Sequence, residues 1–197
     1  MCVVVDGVEH PIHTDFRPWL RFDRLIRQFA KDSATSDEHR TLQFLMMYQT
    51  SLPTDIEKAI QALFSFYSLE EREEETEAAH NPNKEPVFDL EQDSAFIFGA
   101  FMQVYRVDLV EIEYMHWWKF RKLIDALPGS TKLSDIMDIR SRSTKDLKGE
   151  DKRRLNELKR IYSIKGEKRK PVTLEERNRL WIETFERRAK QAGLQRR

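Results

Sequence analysis

Residues 56–67 set Ile56, Ala59, Ile60, Leu63, Phe64 and Tyr67 at steps of three and four. That spacing lines six apolar side chains along one side of an α-helix but scatters them over both faces of a strand. The same period recurs in residues 16–29, through Phe16, Trp19, Leu20, Leu25, Ile26 and Phe29. A chain patterned this way buries its apolar surface by packing helices side by side. Only 6 glycines and 7 prolines interrupt its 197 residues. Charged residues make up 35%, against about 25% in an average domain, which suits helices with long solvated faces. The expected fold is mainly α, a multi-helix domain with a small N-terminal β-hairpin.

The hairpin is read from 2-CVVVDGVEHPIH-13. A β-branched run meets Asp6-Gly7, a favoured two-residue hairpin turn, and continues from Val8 to Ile12. Thr14 or Asp15 then caps a helix running to about Ala30. A second helix covers 37–50, with Leu42, Leu45 and Met46 on one face, and a third starts after Pro53. Residues 68–87 hold seven acids, two bases and two prolines, and read as an acidic linker or exposed loop. A fourth helix spans about 89–104. Ala95, Phe96, Phe98, Gly99, Phe101, Met102 and Tyr105 make it apolar nearly all round, which marks it as the central buried helix. A fifth covers 111–127, a short sixth 133–139, and a charged seventh 150–163 with Leu155, Leu158, Ile161 and Tyr162 on one side. The domain reading is 1–67 for the hairpin and first helices, 68–87 for the linker, 88–165 for a helical part packing with 1–67 as one domain, and 166–197 for a basic C-terminal helix or tail. That last segment opens on a capping-box pattern, Thr173 with Glu176, and carries Leu174, Leu180, Trp181 and Phe185.

Charge narrows the function. Net charge is zero, yet residues 1–100 carry 19 acids and 9 bases while 101–197 carry 15 acids and 25 bases. Opposite poles favour contact within a monomer or between copies. A neutral chain gains little non-specific attraction to nucleic acid, and the basic tail leaves a nucleic-acid-binding regulator as a third-ranked reading. Cys2 is the only cysteine, so no intramolecular disulfide forms. No apolar stretch reaches the length of a membrane span, and the N-terminus lacks a signal-peptide pattern. The five histidines have no partner at metal-ligand spacing. Six scattered glycines build no phosphate cradle, and Cys2 has no evident activating base. The expectation is a protein that is not an enzyme and uses no cofactor and no metal.

One stretch resists the single-stripe rule. In 114-YMHWWKFRKL-123, adjacent tryptophans point about 100° apart on a helix. A wheel centred on Phe120 gathers Trp117, Ile124, Leu127, His116 and Leu123 into one stripe. It throws Trp118 nearly opposite, near Tyr114, Arg121 and Asp125. Trp117 is then a core residue and His116 a hydrogen-bonded core histidine. Trp118 is either clamped under a second helix or the hairpin, or it anchors a partner. Trp118, Tyr114 and Arg121, with Trp181 and Phe185 of the tail, are the candidate partner-binding residues.

Four segments in order, 12-IHTDFRPWLRF-22, 89-DLEQDSAFIFGAF-101, 115-MHWWKFRKLIDALP-128 and 133-LSDIMDIRS-141, resemble the bacteriophage gene-product-fifteen family over about residues 3–165. The basic tail fits the pattern less clearly. The family comes from tailed phages and prophages of Gram-positive bacteria, near the tape-measure gene. The resemblance implies no catalytic residues and a role in virion morphogenesis, as a tail assembly chaperone that holds the tape measure protein soluble in the host bacterial cytoplasm. Other tail proteins and further copies of the chain are secondary partners. The alternative is a structural head–tail connector or tail-completion protein of the virion.

Overall fold

The computed structural model describes residues 1–29, 35–68 and 87–165. The chain divides into two compact units whose described parts are residues 1–29 with 35–68, and residues 87–165. Among the described residues, seven helices follow one two-stranded antiparallel sheet. The fold is mainly α with an N-terminal hairpin, as the periodicity and the Asp-Gly turn require.

In the first unit, β1 (Cys2–Val5) pairs with β2 (Val8–Pro11), Val3 opposite His10 and Val5 opposite Val8. Asp6 and Gly7 both take positive φ, 51° and 79°, as a tight hairpin turn with strand-matched twist demands. The chain continues as an isolated bridge between Ile12 and Tyr48, with His13 N–H donating to Met47 at 2.9 Å. Three helices complete the unit: α1 (Phe16–Phe29), α2 (Asp37–Leu45) and α3 (Ile56–Ser68). The hairpin lies on α3, and Lys58 of α3 pairs with Asp6 at its turn.

Asp15 caps α1 by accepting the Arg17 N–H at 3.0 Å, and Ser36 caps α2 by accepting the His39 N–H at 3.3 Å. The core is aromatic. Trp19 and Phe22 lie 5.0 Å apart, and Phe22 meets Phe44 and Phe64 at 4.9 and 5.3 Å. Asp23 is buried beneath this cluster and accepts hydrogen bonds from Tyr67 Oη and Arg27. All but Ile56 of the six residues that introduced the helical period are buried. For α2 the expected face holds at Leu45 alone. Leu42 and Met46 are 62% and 74% exposed, while Phe44 and Leu45 are buried. The helix also stops at Leu45 rather than about 50. Residues 46–49 are drawn off to pair with the strand end at Pro11 and Ile12.

The second unit comprises α4 (Ser94–Tyr105), α5 (Trp117–Asp125), α6 (Lys132–Ser141) and α7 (Gly149–Ile161). Ile97, Phe101, Trp117, Phe120, Ile124, Leu133, Ile136 and Leu155 form its core. Thr131, fully buried, caps α6 by accepting the Ser134 N–H at 3.1 Å. Arg140 ties the unit together. Its guanidinium grips Asp93 through two bonds of 2.6 and 2.9 Å and donates to the carbonyls of Val87 at 3.0 Å and Tyr162 at 2.7 Å. Asp93 is 2% exposed. Its carboxylate also accepts the Asp89 N–H, and the Asp89 carboxylate accepts from Glu91 and Gln92.

Two expectations fail here. α4 is not the buried centre: only Ile97, Ala100 and Phe101 are buried, and among the described residues α5 and α6 lie against that side. Ile161, placed on the inner side of α7, is 59% exposed; that helix buries only Leu155.

Breaking the buried pair leaves an uncompensated charge. Arg140→Ala and Asp93→Ala are each expected to cost about 3–5 kcal/mol by urea unfolding, and Arg140→Met with Asp93→Leu to recover only the part due to the unpaired charge, since the Val87 and Tyr162 carbonyls and the Asp89 N–H still lose their partners. Burial pushes the Tyr48 phenol up to about 12, and Tyr48 donates to the Ala59 carbonyl at 2.9 Å. An unfolded tyrosine ionises near pH 10, so the folded chain keeps this proton longer and loses stability as pH rises between about 10 and 12. Tyr48→Phe should flatten that alkaline decline in the urea midpoint.

Candidate partner-binding surface

The paired tryptophans sit at the first two positions of α5, later than the 111 start that their spacing suggested. The preceding loop explains the delay. The Asp108 carboxylate accepts the N–H groups of Val110 at 2.8 Å and Glu111 at 3.2 Å, and its carbonyl accepts from Ile112 at 3.0 Å. A side-chain-bonded turn of this kind competes with helix. Residues 113–116 then run on outside regular helix until His116, with φ −61° and ψ 138°, opens α5.

His116 is the N-cap. Its Nδ1 accepts the Trp118 N–H at 3.2 Å, which places the ring proton on Nε2. The ring then meets Trp118 edge-on, 5.3 Å between centroids. His116 is therefore not part of the core stripe, as the wheel had it. A histidine satisfies an orphan helix N–H as a Ser or Asp does, but it is rare in that place, so sequence reading passes over it.

The rest of the wheel stands where α5 is helical. Trp117, Phe120 and Ile124 are all buried, and Trp117 stacks on Phe120 at 6.0 Å. Phe120 in turn lies 5.4 Å from Phe101 of α4, and Tyr105 Oη closes the α4–α5 contact by donating to the Leu123 carbonyl at 2.8 Å. Trp118 is half-buried. The doublet thus serves two environments: one indole wholly inside, one at the surface boundary.

The remaining candidates separate. Tyr114 is 53% exposed but precedes the helix, so the wheel that set it beside Trp118 does not apply to it. Arg121 is half-buried, and its guanidinium lies over the ring of Trp117, 5.4 Å from the centroid. That cation–π contact turns Arg121 toward the inner tryptophan. Trp181 and Phe185 lie outside the described residues. Val110, 77% exposed, and Tyr114 stand in the loop, and the half-buried Trp118 stands at the start of α5; Glu111, Glu113, Lys119 and Lys122 are exposed in the same stretch. The described residues hold no group of three or more His, Cys, Asp or Glu side chains gathered as a metal site.

Asp89, Asp93 and Arg140 were singled out by no functional reading, although two of the characteristic segments contain them. The clue was the repeated acid in 89-DLEQD-93 and the lone arginine of 133-LSDIMDIRS-141.

A family model described as bacteriophage Gp15 protein matches residues 1–164 of the chain. No curated protein and no solved structure matches it. No described helix is long and apolar enough to cross a membrane.

Trp117→Ala should cost about 3–5 kcal/mol in chemical unfolding. His116→Ala removes the cap and the ring contact with Trp118 and should cost about 1–2 kcal/mol, with His116→Asn restoring the cap's share.

Proposed function

The chain belongs to the bacteriophage Gp15 protein family, and from that premise we propose that it is a tail assembly chaperone-like binding protein that keeps the tape measure protein soluble while the tail is built. The family makes it a phage protein of the structural, tail-region class. The finer role rests on two supports. The family match runs through both compact units, and it is the observation that carries the reading. The exposed Val110 and Tyr114 and the half-buried Trp118 supply the chemistry: a tape measure protein is a long helical chain with apolar stripes, and such helices dock on aromatic anchors among charged residues. The work belongs in the host cytoplasm, where tails assemble. No group-transfer or cofactor chemistry enters this role.

Co-expression tests it. With this chain present, the tape measure protein should move from the pellet to the soluble fraction and co-purify. Mass spectrometry of purified virions should find the tape measure protein and not this chain. Recovery of the chain from virions in stoichiometric amount would favour the connector or tail-completion role instead. Trp118→Ala should leave melting closer to the parent than Trp117→Ala does, and should weaken co-purification by about tenfold or more. Equal loss of folding by both variants would make Trp118 a packing residue.

A further inference from the structure

Arg106 stands directly after α4 with φ 55° and ψ 32°, in the left-handed region. Its N–H and that of Val107 both close on the Phe101 carbonyl, which is how a helix ends on a left-handed residue. Glycine, and less often asparagine, fills such a place, because a Cβ there crowds the following carbonyl. Among the described residues, one other non-glycine takes positive φ, Asp6 in the hairpin turn. A short polar side chain eases that conformation by bonding to the chain beside it. The arginine side chain forms no such bond.

The guanidinium gives the fold nothing in return. Arg106 is exposed, and among the described residues its side chain makes no hydrogen bond, ion pair or ring contact. α4 has no basic residue in its last turn, so a cation after it gains from the helix dipole, but a lysine would gain as much. A strained residue whose side chain the fold does not use points to a use outside the fold.

The chain after Arg106 is held in place. The Asp108 carboxylate accepts the N–H groups of Val110 and Glu111, and the Ile112 N–H closes on the Asp108 carbonyl. Four residues of chain span at most about 14 Å, so Arg106 and the 77%-exposed Val110 fall within about three turns of a docked helix. A guanidinium fork takes a carboxylate through two parallel bonds, and arginine is enriched among the residues that carry binding energy. Glu111 and Glu113, exposed just beyond, oppose a carboxylate placed off the arginine. We propose that Arg106 is a partner-binding residue, kept at the end of α4 to receive a carboxylate, and that the tape measure helix it selects carries an Asp or Glu beside its apolar stripe. This rests on the chaperone reading and adds which helices of the partner fit.

The test compares the full-length parent with Arg106→Gly and Arg106→Lys, in melting and in affinity for the tape measure protein of the same phage and for overlapping peptides from it. Arg106→Gly relieves the left-handed residue, so it should melt no lower than the parent while binding at least about tenfold more weakly. Arg106→Lys keeps the charge and the strain but loses the fork, so it should melt like the parent and still bind more weakly. Changing the Asp or Glu of a bound peptide to Asn or Gln should cost the parent the same factor and Arg106→Gly almost nothing. Parent-like binding by both variants overturns the proposal and leaves the chaperone reading standing. So does a lowered melting temperature in Arg106→Gly with affinity unchanged, which makes the residue a helix-end cation. Tight binding of a peptide that has no acidic residue overturns it likewise. Loss of oligonucleotide binding in Arg106→Gly with peptide binding intact would assign the guanidinium to phosphate instead. A parent that binds neither the tape measure protein nor its peptides sinks the chaperone reading, and this proposal with it.

Discussion

Arg140 is the constraint on which the second unit depends. One guanidinium meets the first residues before α4, the chain at Val87 and the end of α7 at Tyr162, and the Arg140 carbonyl accepts from Lys159. Fork geometry makes this possible: five N–H donors in a plane can hold a carboxylate with two and still reach carbonyls on either side. Asp93, nearly unexposed, must have such a partner, because a buried carboxylate without one is very costly. The Asp89 and Asp93 side chains meanwhile bond back to the chain around them, closing the acidic turn before it enters α4. Three helices are thereby ordered around one arginine, and α5 packs on α4 through Phe120 and Phe101.

That arrangement has a consequence for α4. The helix is clamped at its start and packed along one side, so its apolar sequence is not used up. A chain that exposes an uncharged stripe bearing a glycine accepts a loss in helix stability and solubility.

Local physics made much of the fold legible. Asp6-Gly7 specified the hairpin because few dipeptides accept positive φ at both turn positions. The α3 stripe was readable because its period is unbroken from Ala59 to Tyr67, and all five of its members there are buried. Reading failed where a side chain took a role unusual for its type. His116 as an N-cap delayed α5 and misplaced Tyr114, and the Asp108 turn gave no Gly or Pro signal. On α2, Leu42 and Met46 have helical spacing and the right chemistry, yet Phe44 and Leu45 won the inward face. The bulkier aromatic could join Phe22 and Phe64, and a short helix can bury only one side. Of the candidate binding residues, Trp118 was set apart from Trp117 on the wheel and is set apart in the structure, but Arg121 turned to the buried indole instead.

The sequence by itself determined the helical class, the hairpin, the inner place of Trp117, and the resemblance to the phage family over most of the chain. Each of these follows from spacing within a few residues or from ordered motifs, where the chain's own geometry dictates the outcome. Only the tertiary structure decided which side of α4 is covered, which of two apolar faces α2 buries, and that Asp93 finds Arg140 forty-seven residues away. Periodicity says that a helix has an apolar side. It does not say how many neighbours arrive to cover it, because that depends on contacts between segments far apart in sequence, and those are settled by packing alone.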